Sequence, residues 1–235
     1  MCRCKQGEIK MLSEPLAGLF DRSKLIALDF AKITKNIPPE LDIQQYFENL
    51  NNHGDNPRLP ENRQKFNNRA LDFCASRYLV GAYGEDRIAM LSDTPAGEEG
   101  RTIHMAIDIF SKELEPVYAP CDGEIIVSNY EEGFGEYGNY LIIRPYAADY
   151  YIFLGHLGSN RMGVGPVKNG QKVAHLGDHA NCENGGWSRH LHLQILKVLP
   201  PKKLTPQGYS TKEDFAANSR LYPNPLDYFP GWRLQ

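Results

Sequence analysis

The chain has 235 residues, of which 41% are hydrophobic, 23% charged and 11% aromatic. This composition is typical of a globular protein and excludes collagen-like, coiled-coil and intrinsically disordered chains. The 26 basic and 29 acidic residues leave a net charge of -3, so there is no basic surplus to attract phosphate and we expect no nucleic-acid partner.

The N-terminus and the apolar stretches bear on where the protein works. Residues 1–20 lack an apolar run followed by a small-residue cleavage site, so they do not read as a secretory signal. The longest apolar patches, YLII and YYIFL, fall far short of the roughly 18 residues that cross a bilayer. Five scattered cysteines without a CxxC pair favour a reducing compartment. We expect a cytoplasmic protein with no membrane partner, and we expect a monomer.

The N-terminal region, residues 1–95, is polar and has helical spacing. A proline pair precedes ELDIQQYFENL, and NRQKFNNRALDFCASRYLVGAY follows with a similar pattern. Apolar residues at such spacings after a proline start favour helices. We expect two to four helices in this region.

The pattern changes from Arg101 onwards. Short β-branched and aromatic runs, separated by Gly, Pro, Asn and Asp, continue to about Leu199 and predict an antiparallel β-sheet domain over residues 96–199. Residues 200–235 are punctuated by prolines and carry aromatics, which predicts an extended C-terminal tail that packs on the body. The expected fold class is α+β.

The hexapeptide HLHLQI alternates His190, His192 and Gln194 with aliphatic residues. On a strand, both imidazoles then lie on one face, about 6.6 Å apart along the chain. Two such histidines can approach one metal or one substrate, since imidazole is a zinc ligand. The alternative is a polar face of a sheet.

A second motif, IHMAID, places His104 four residues before Asp108. A straight strand would separate them by about 13 Å, so the backbone must bend if both bind one metal. A helix would need no bend, but the surrounding β-branched residues favour extended structure. A third histidine, His156, ends the apolar run YIFLGHL, where burying its ring is costly unless the ring has a partner.

Taken in order, these motifs resemble the LytM-type (M23, lysostaphin-like) zinc metallopeptidases. The resemblance runs from about Arg101 to Ile195. It rests on IHMAID for HxGxD, PVYAPCDGEIIVS for a strand-turn-strand, GNYLIIR for GNxVxIxH, LGHL for YxHL, VKNGQKVAHLGD for VxxGQxIxxxG and HLHLQI for HLHFE. ENGGW and the upstream VGAYGEDR look like a subset of that family with a helical N-terminal region. The resemblance implies a LytM-like metallopeptidase domain.

The resemblance also implies roles for five residues. The family's zinc ligands fall on His104, Asp108 and His192, and its two other active-site histidines fall on His156 and His190. Three ligands with an open fourth position are the catalytic arrangement, in which zinc activates water. With no HExxH motif to supply a glutamate base, one of the two remaining histidines would take the water proton and the other would assist the oxyanion or the leaving amine.

Two positions depart from the family pattern. Ala106 stands where the family has glycine, and because alanine is small we expect the bend to be retained. Leu154 stands where the family has tyrosine, which removes a hydroxyl from the cleft and is expected to alter substrate handling.

Other signals are weaker. Asn139, Trp187 and Arg189 flank the motifs and are candidates for substrate contact, with packing as the alternative. Residues 133–138, GFGEYG, fit GxGxxG but precede a strand, which predicts a hairpin turn rather than a dinucleotide site. Three loop residues with irregular spacing are interpreted as surface residues rather than metal ligands: His175, His179 and Cys182.

The expected function is hydrolysis of a peptide or peptidoglycan-like substrate by a zinc metallopeptidase. One alternative is a catalytically silent peptide- or wall-binding regulatory module of the same fold. Another is a phosphocarrier-like or biotinyl-like domain, which would need a single modified histidine or lysine. We also hypothesise that residues 1–95 occlude the groove.

Overall fold

The computed structural model describes residues 25–28, 59–73, 78–91, 94–200 and 205–229. In chain order, the elements of this part are β1 (Leu25–Leu28), α1 (Pro60–Phe73), β2 (Tyr78–Gly81), α2 (Ile88–Leu91), α3 (Pro95–Glu98), β3 (Ile103–His104), β4 (Ile107–Ser111), β5 (Pro116–Tyr118), β6 (Gly123–Glu131), β7 (Gly138–Pro145), β8 (Tyr151–Leu157), β9 (Gly165–Val167), β10 (Lys172–His175), a 3₁₀ turn (His179–Asn181), β11 (His190–Leu196), β12 (Tyr209–Ser210), α4 (Phe215–Leu221) and a 3₁₀ turn (Pro225–Asp227).

Eight strands form one sheet in the order β1-β2-β4-β11-β8-β7-β6-β9, and two small sheets pair β10 with β5 and β12 with β3. Neighbouring strands of the large sheet are antiparallel except β1 and β2, which are parallel. The predicted α+β class, with an antiparallel sheet domain, is confirmed. The hairpin predicted at residues 133–138 is also confirmed, since this segment connects the paired strands β6 and β7.

The central strands β8 and β11 are buried along almost their whole length. Strand β11 sends Leu191, Leu193 and Ile195 into the main hydrophobic core on one face of the sheet. Because side chains alternate along a strand, His190 and His192 lie on the opposite face. The alternation expected from HLHLQI is therefore the alternation that the sheet shows.

The N-terminal region differs from the helical prediction in one respect. Helix α1 ends at Phe73, and Tyr78–Gly81 is not its continuation but strand β2, which pairs with β4 and is buried throughout. The prediction of helix at these residues was wrong. Tyr, Leu and Val favour a strand when a partner strand is present, and the spacing of apolar residues along the sequence does not reveal such a partner. The large sheet thus begins upstream of the predicted boundary at residue 96. The helix predicted over ELDIQQYFENL lies outside the described residues.

The C-terminal segment packs on the body but is not extended throughout. Strand β12 pairs with β3, helix α4 follows at Phe215–Leu221, and Phe229 is buried in the main core. Within the described part of the chain, no helix combines the length and apolarity needed to cross a membrane.

Candidate metal centre and active site

The large sheet and the adjoining strand β3 bring together the five residues that the motifs singled out, four histidines and one aspartate. His104 ends β3, Asp108 lies on β4, His156 lies near the end of β8, and His190 and His192 lie on β11. The register places His192 opposite Asp108 on one side and opposite Gly155 on the other. None of the five is more than 4% exposed, so their side chains are almost completely withdrawn from solvent.

The bend between His104 and Asp108 is present. Strand β3 stops at His104 and β4 starts at Ile107, which leaves Met105 and Ala106 as a break between the two strands. The break brings His104 Nε2 to 3.3 Å from Asp108 Oδ2, against about 13 Å along a straight strand. Ala106 is fully buried and is not among the residues with positive φ, so the bend does not require glycine.

Hydrogen bonds fix which nitrogen of His104 carries its proton. Burial, reinforced by the charge of Arg87, lowers the pKa of His104 to about 4, so the ring is neutral and has one N–H. Nδ1 lies 3.1 Å from the carbonyl oxygen of Ala82, which can only accept, so Nδ1 holds the hydrogen and donates it. The buried Nε2 has no hydrogen-bond partner and turns its lone pair towards Asp108.

Asp108 is ionised despite its burial. Burial opposes ionisation, but the surrounding histidines and Arg87 outweigh it and hold the pKa of this carboxyl well below its usual range. A carboxylate oxygen and a nitrogen lone pair therefore face each other in a dry environment. That arrangement is unfavourable unless a cation lies between them.

His192 presents its other nitrogen. The side-chain amide of Gln194 donates from Nε2 to the Gln207 carbonyl at 3.1 Å, which leaves its Oε1 3.0 Å from His192 Nε2. Because this oxygen can only accept, His192 Nε2–H donates to Gln194, and the other ring nitrogen, Nδ1, lies 3.0 Å from Asp108 Oδ1. The second-neighbour amide thus orients the ring, as outer partners of metal-binding histidines do.

The three side chains fit a tetrahedral divalent metal such as zinc. Ligand atoms of His104, Asp108 and His192 all lie within 4.8 Å of one another. His104 Nε2 and Asp108 Oδ2 are 3.3 Å apart, which matches the edge of a tetrahedron with bonds near 2.0–2.1 Å, roughly 3.3 Å. Within the described ranges, this is the group of His, Cys, Asp and Glu side chains that is spaced for a metal. His175, His179 and Cys182 form no such group.

His156 and His190 form a pair beside this cluster. Their ring centroids are 4.3 Å apart, and each Nδ1 lies within hydrogen-bonding distance of a backbone carbonyl, Asn184 at 2.9 Å for His156 and Ser188 at 2.7 Å for His190. Burial lowers the pKa of both rings, that of His190 to about 4. Both are therefore neutral with the proton on Nδ1, and each Nε2 can accept a proton. His190 Nε2 is 3.7 Å from Asp108 Oδ2.

The backbone at His156 is strained. Its φ of 60° lies in the left-handed region, which costs a non-glycine residue on the order of 1–3 kcal/mol. Two hydrogen bonds hold it there, from His156 N to the Tyr137 carbonyl and from Gly177 N to the His156 carbonyl. Such strain concentrates at functional sites, and here it turns the imidazole towards His190.

The three predicted substrate residues occupy different surroundings. Trp187 belongs to the site, with its ring centroid 6.0 Å from that of His156, and its Nε1 donates to the Glu136 carbonyl. Asn139 is buried and donates to the Glu183 carbonyl. Arg189 directs its guanidinium to Asp178 and to the carbonyl of Lys112. A role for these residues in substrate contact stays a prediction.

Several residues near the site were missed from the sequence. The Tyr137 ring lies 5.0 Å from that of His192 and 5.5 Å from that of His156, yet it belongs to the turn that was interpreted only as a hairpin. Tyr209, from the C-terminal segment, lies 5.6 Å from His104. Arg87 donates to Asp108 at 2.6 Å. The sequence GEDR, in which two acidic residues precede an arginine just after a buried strand, could have indicated a buried role for Arg87.

Known proteins resemble this part of the chain. Residues 102–206 match the model of peptidase family M23. Endolysin 2638A of Staphylococcus phage 2638A is 34% identical over 94 residues, which are 39% of this chain and 18% of the endolysin. A zinc-containing peptidase from Vibrio cholerae is 31% identical, covering 40% of this chain and 27% of that one with a TM-score of 0.34. The catalytic domain of lysostaphin from Staphylococcus simulans is 18% identical, covering 71% of this chain and 96% of that one with a TM-score of 0.44.

The cluster spaced for a metal lies within the residues that match the model of a peptidase family. Residues 102–206, a little under half of the chain, match peptidase family M23, so the family resemblance of the motifs is confirmed. The match covers less than a fifth of the length of the phage endolysin and about a quarter of the Vibrio peptidase.

Proposed function

We propose that this protein is a zinc-dependent endopeptidase of the M23 type that cleaves an amide bond in a peptide of peptidoglycan type. The observation that carries the proposal is that two imidazole nitrogens face one carboxylate: His104 Nε2 and His192 Nδ1 lie 3.3 and 3.0 Å from the two oxygens of Asp108. A binding module would have no need of a buried, ionised site of this kind, because such a site is costly unless a metal occupies it.

His104, Asp108 and His192 would hold the zinc. When bound, zinc supplies a Lewis acid that polarises the scissile carbonyl and makes water more acidic. The chain's own contribution is a pair of neutral imidazoles whose tautomers are fixed by the carbonyls of Asn184 and Ser188. One Nε2 accepts the proton of the attacking water, and the same proton is then delivered to the leaving amine nitrogen. Either His156 or His190 can take this role.

The surrounding rings exclude water and hold the histidines in place. Phe110 stacks on His190 with centroids 4.8 Å apart, and Trp187 and Tyr137 flank His156. A water-excluded pocket strengthens every electrostatic interaction inside it. Peptide-bond cleavage would benefit from this environment, since charge develops on both the carbonyl oxygen and the imidazole.

The first experiment is elemental analysis for zinc on protein purified without a tag or added metal. We expect about one zinc per chain for the wild type, little for His192→Ala, and full zinc for His190→Ala. Cleavage of purified peptidoglycan, followed by the release of new amino groups, should be lost in both variants, by about 10²–10⁴-fold for His190→Ala. Zinc bound without any cleavage of wall or short peptides would favour the silent binding module, and no zinc after reconstitution would overturn the proposal.

The substrate can be narrowed by the same assay. Phage endolysin 2638A and lysostaphin are among the similar proteins, which favours cross-linked peptidoglycan as the substrate. The sequence also predicts a cytoplasmic protein, so soluble stem peptides are the second substrate to test. Faster turnover of soluble peptides than of intact wall would support an intracellular role.

A further inference from the structure

The segment just upstream of the M23 domain supplies the outer contacts of the metal cluster. Residues 84–87 run beside β3 and are joined to it by hydrogen bonds from Gly84 N to His104 O, from His104 N to Glu85 O and from Arg87 N to Thr102 O. The backbone of Arg87 is therefore locked to the strand that bears His104. All of residues 84–87 lie outside the matched region 102–206.

Arg87 joins two carboxylates in a fully buried chain of charges. Its Nη1 donates to Asp108 Oδ2 at 2.6 Å, and its Nη2 and Nε donate to Glu85 Oε2 at 3.2 and 3.3 Å. The side chains of Arg87, Glu85 and Asp108 are 2%, 0% and 3% exposed. Glu85 Oε2 also accepts the backbone N–H of Ala82, whose carbonyl in turn faces His104 Nδ1.

The strand next to Asp108 leaves room for the guanidinium. Gly81 on β2 is the residue paired with Asp108 on β4, and a Cβ at this position would collide with Arg87 Nη2. Gly81 has no positive φ, so space rather than backbone conformation accounts for glycine here. Gly81, Glu85 and Arg87 thus form one device directed at a single carboxylate.

Two buried carboxylates share one guanidinium in this arrangement. Glu85 and Asp108 both accept hydrogen bonds from Arg87, and Asp108 belongs to the cluster that is spaced for a metal. Glu85 holds the fork made by Nε and Nη2, which directs Nη1 to Asp108 Oδ2 in one short, charge-assisted hydrogen bond. His104 Nε2 faces the same oxygen at 3.3 Å and His192 Nδ1 faces Oδ1 at 3.0 Å, so the position and rotation of this carboxylate set both distances.

We propose that Arg87, anchored by Glu85 in the space left by Gly81, is a positioning residue that fixes the Asp108 carboxylate for zinc. This inference rests on the proposed function, because it requires that the cluster bind zinc. It assigns to the upstream segment a direct part in the metal site, in addition to completing the sheet through β2.

The direction in which zinc affinity changes when Arg87 is removed distinguishes a positioning role from simple charge neutralisation. If Arg87 only screened the site, its removal would leave more negative charge near the dication and zinc would bind more tightly. If Arg87 positions Asp108, zinc binds more weakly, by about 10–100-fold as for other outer-shell partners of metal ligands. The two roles therefore predict opposite changes in the zinc dissociation constant.

The test measures zinc affinity by chelator competition on the full chain, for the wild type, four variants and one control variant. Arg87→Gln and Glu85→Gln should weaken zinc binding 10–100-fold, and Arg87→Lys should recover part of the loss because its ammonium group can still donate one hydrogen bond to Asp108. Gly81→Ala keeps every charge but displaces the guanidinium, and it should also weaken binding. Arg144→Gln, which removes an arginine from an exposed ion pair with Glu124, is the matched control and should bind zinc as the wild type does.

A spectroscopic measurement distinguishes a change at the metal from a general loss of stability. Cobalt substituted for zinc gives visible bands that report the coordination of the metal, and these bands should change in Arg87→Gln but not in Arg144→Gln. Urea unfolding of the metal-free proteins identifies variants that do not fold. If Arg87→Gln is one of them, the zinc affinity and the cobalt spectrum of Gly81→Ala and Arg87→Lys test the inference instead. Unchanged or tighter zinc binding with an unchanged cobalt spectrum overturns the inference while the proposed function stands. A wild type that binds no zinc overturns both.

Discussion

Ala106 lies fully buried in the break between the strands that carry His104 and Asp108. The family pattern has glycine at this position, but Ala106 has no positive φ. Alanine therefore makes the bend without strain, and it restricts the unfolded chain more than glycine does. The departure from the family pattern is compatible with the metal cluster.

Ala106→Gly should accordingly improve neither stability nor zinc affinity. We expect it to lower the free energy of unfolding by about 1 kcal/mol through added backbone entropy and a lost buried methyl, while the zinc dissociation constant stays the same. Urea unfolding and chelator competition measure the two quantities. Tighter zinc binding in the glycine variant would show that alanine strains the bend after all.

Tyr137 contacts the site histidines, whereas this chain has Leu154 where the family pattern has a tyrosine. Its ring packs between Phe153, His156 and His192, but its hydroxyl donates to the Pro206 carbonyl at 3.1 Å. Burial raises the pKa of this hydroxyl well above its usual range. The hydroxyl has a single hydrogen, and that hydrogen is committed to the C-terminal segment.

Tyr137→Phe therefore tests whether this hydroxyl replaces the one that Leu154 lacks. We expect a loss of about 1 kcal/mol in unfolding free energy, the net value of one hydrogen bond, and a catalytic rate constant within about twofold of the wild type. Leu154→Ala is a useful companion, because it opens space on the other face of β8 without touching Tyr137. A 100-fold fall in the rate constant for Tyr137→Phe would instead give the hydroxyl a direct part in catalysis.

Helix α1 is polar and yet buried along one side, with Asn62, Arg63, Gln64 and Asn67 nearly inaccessible. Its polar side chains hydrogen-bond to the residues just before strand β11. Gln64 accepts the backbone N–H of Arg189 at 2.6 Å and Asn67 donates to Ser188 Oγ at 2.9 Å. Arg63 lies over the Trp187 ring at 4.8 Å. The helix thus fixes the loop that leads into β11.

Gln64→Ala should destabilise the protein by about 1–3 kcal/mol, because the Arg189 N–H loses its acceptor while the helix keeps its propensity. Lys65→Ala, on the exposed side of the same helix, is the control and should change the unfolding free energy by less than about 0.5 kcal/mol. Urea titration of the two variants provides the comparison. Equal effects would mean that α1 contributes only its helical backbone.

The hypothesis that residues 1–95 occlude the groove can be restated for single elements. Truncation before Ser92 would remove β2 and Arg87, and with them a neighbour of Asp108, so loss of activity on truncation would say nothing about occlusion. Helix α1 is the part that can be tested alone. If it restricts access, Gln64→Ala should raise the rate of peptide cleavage although it lowers stability.

Among the secondary-structure elements, the sequence predicted correctly those strands whose site residues recur at a fixed spacing. HLHLQI, IHMAID and YIFLGHL predicted strands that do carry the five site residues, because alternation and a required bend are local properties. Strand β2 was not predicted, since Tyr78–Gly81 continues a helical spacing and only its pairing with β4 makes it a strand. Arg87 and Glu85 could not be assigned either: charged residues after a strand are usually solvated, and their burial depends on Gly81 and on strand order.

Across the whole molecule, the site is enclosed by segments that are far apart in sequence. Tyr209 and Gly208 reach it from the C-terminal segment, with Gly208 O accepting the Met105 N–H at 3.0 Å and Tyr209 paired with His104 across β12 and β3. Arg87 reaches it from upstream, and Tyr137 from the β6–β7 turn. These segments are joined to the cluster by hydrogen bonds, so we expect some of these bonds to open when a ligand enters or leaves.

This enclosure predicts how zinc leaves. With His104, Asp108 and His192 at 0%, 2% and 3% exposure, a chelator cannot touch the metal until the structure opens locally. We expect the rate of zinc loss to reach a plateau as the chelator concentration rises, because opening becomes rate-limiting, and to increase in urea below the unfolding transition, because opening exposes surface. A stopped-flow or manual time course with a metal-sensitive dye measures both dependences. A rate that stays proportional to chelator concentration would mean that the chelator attacks a metal already open to solvent, and the enclosed site would then not be the state that holds zinc in solution.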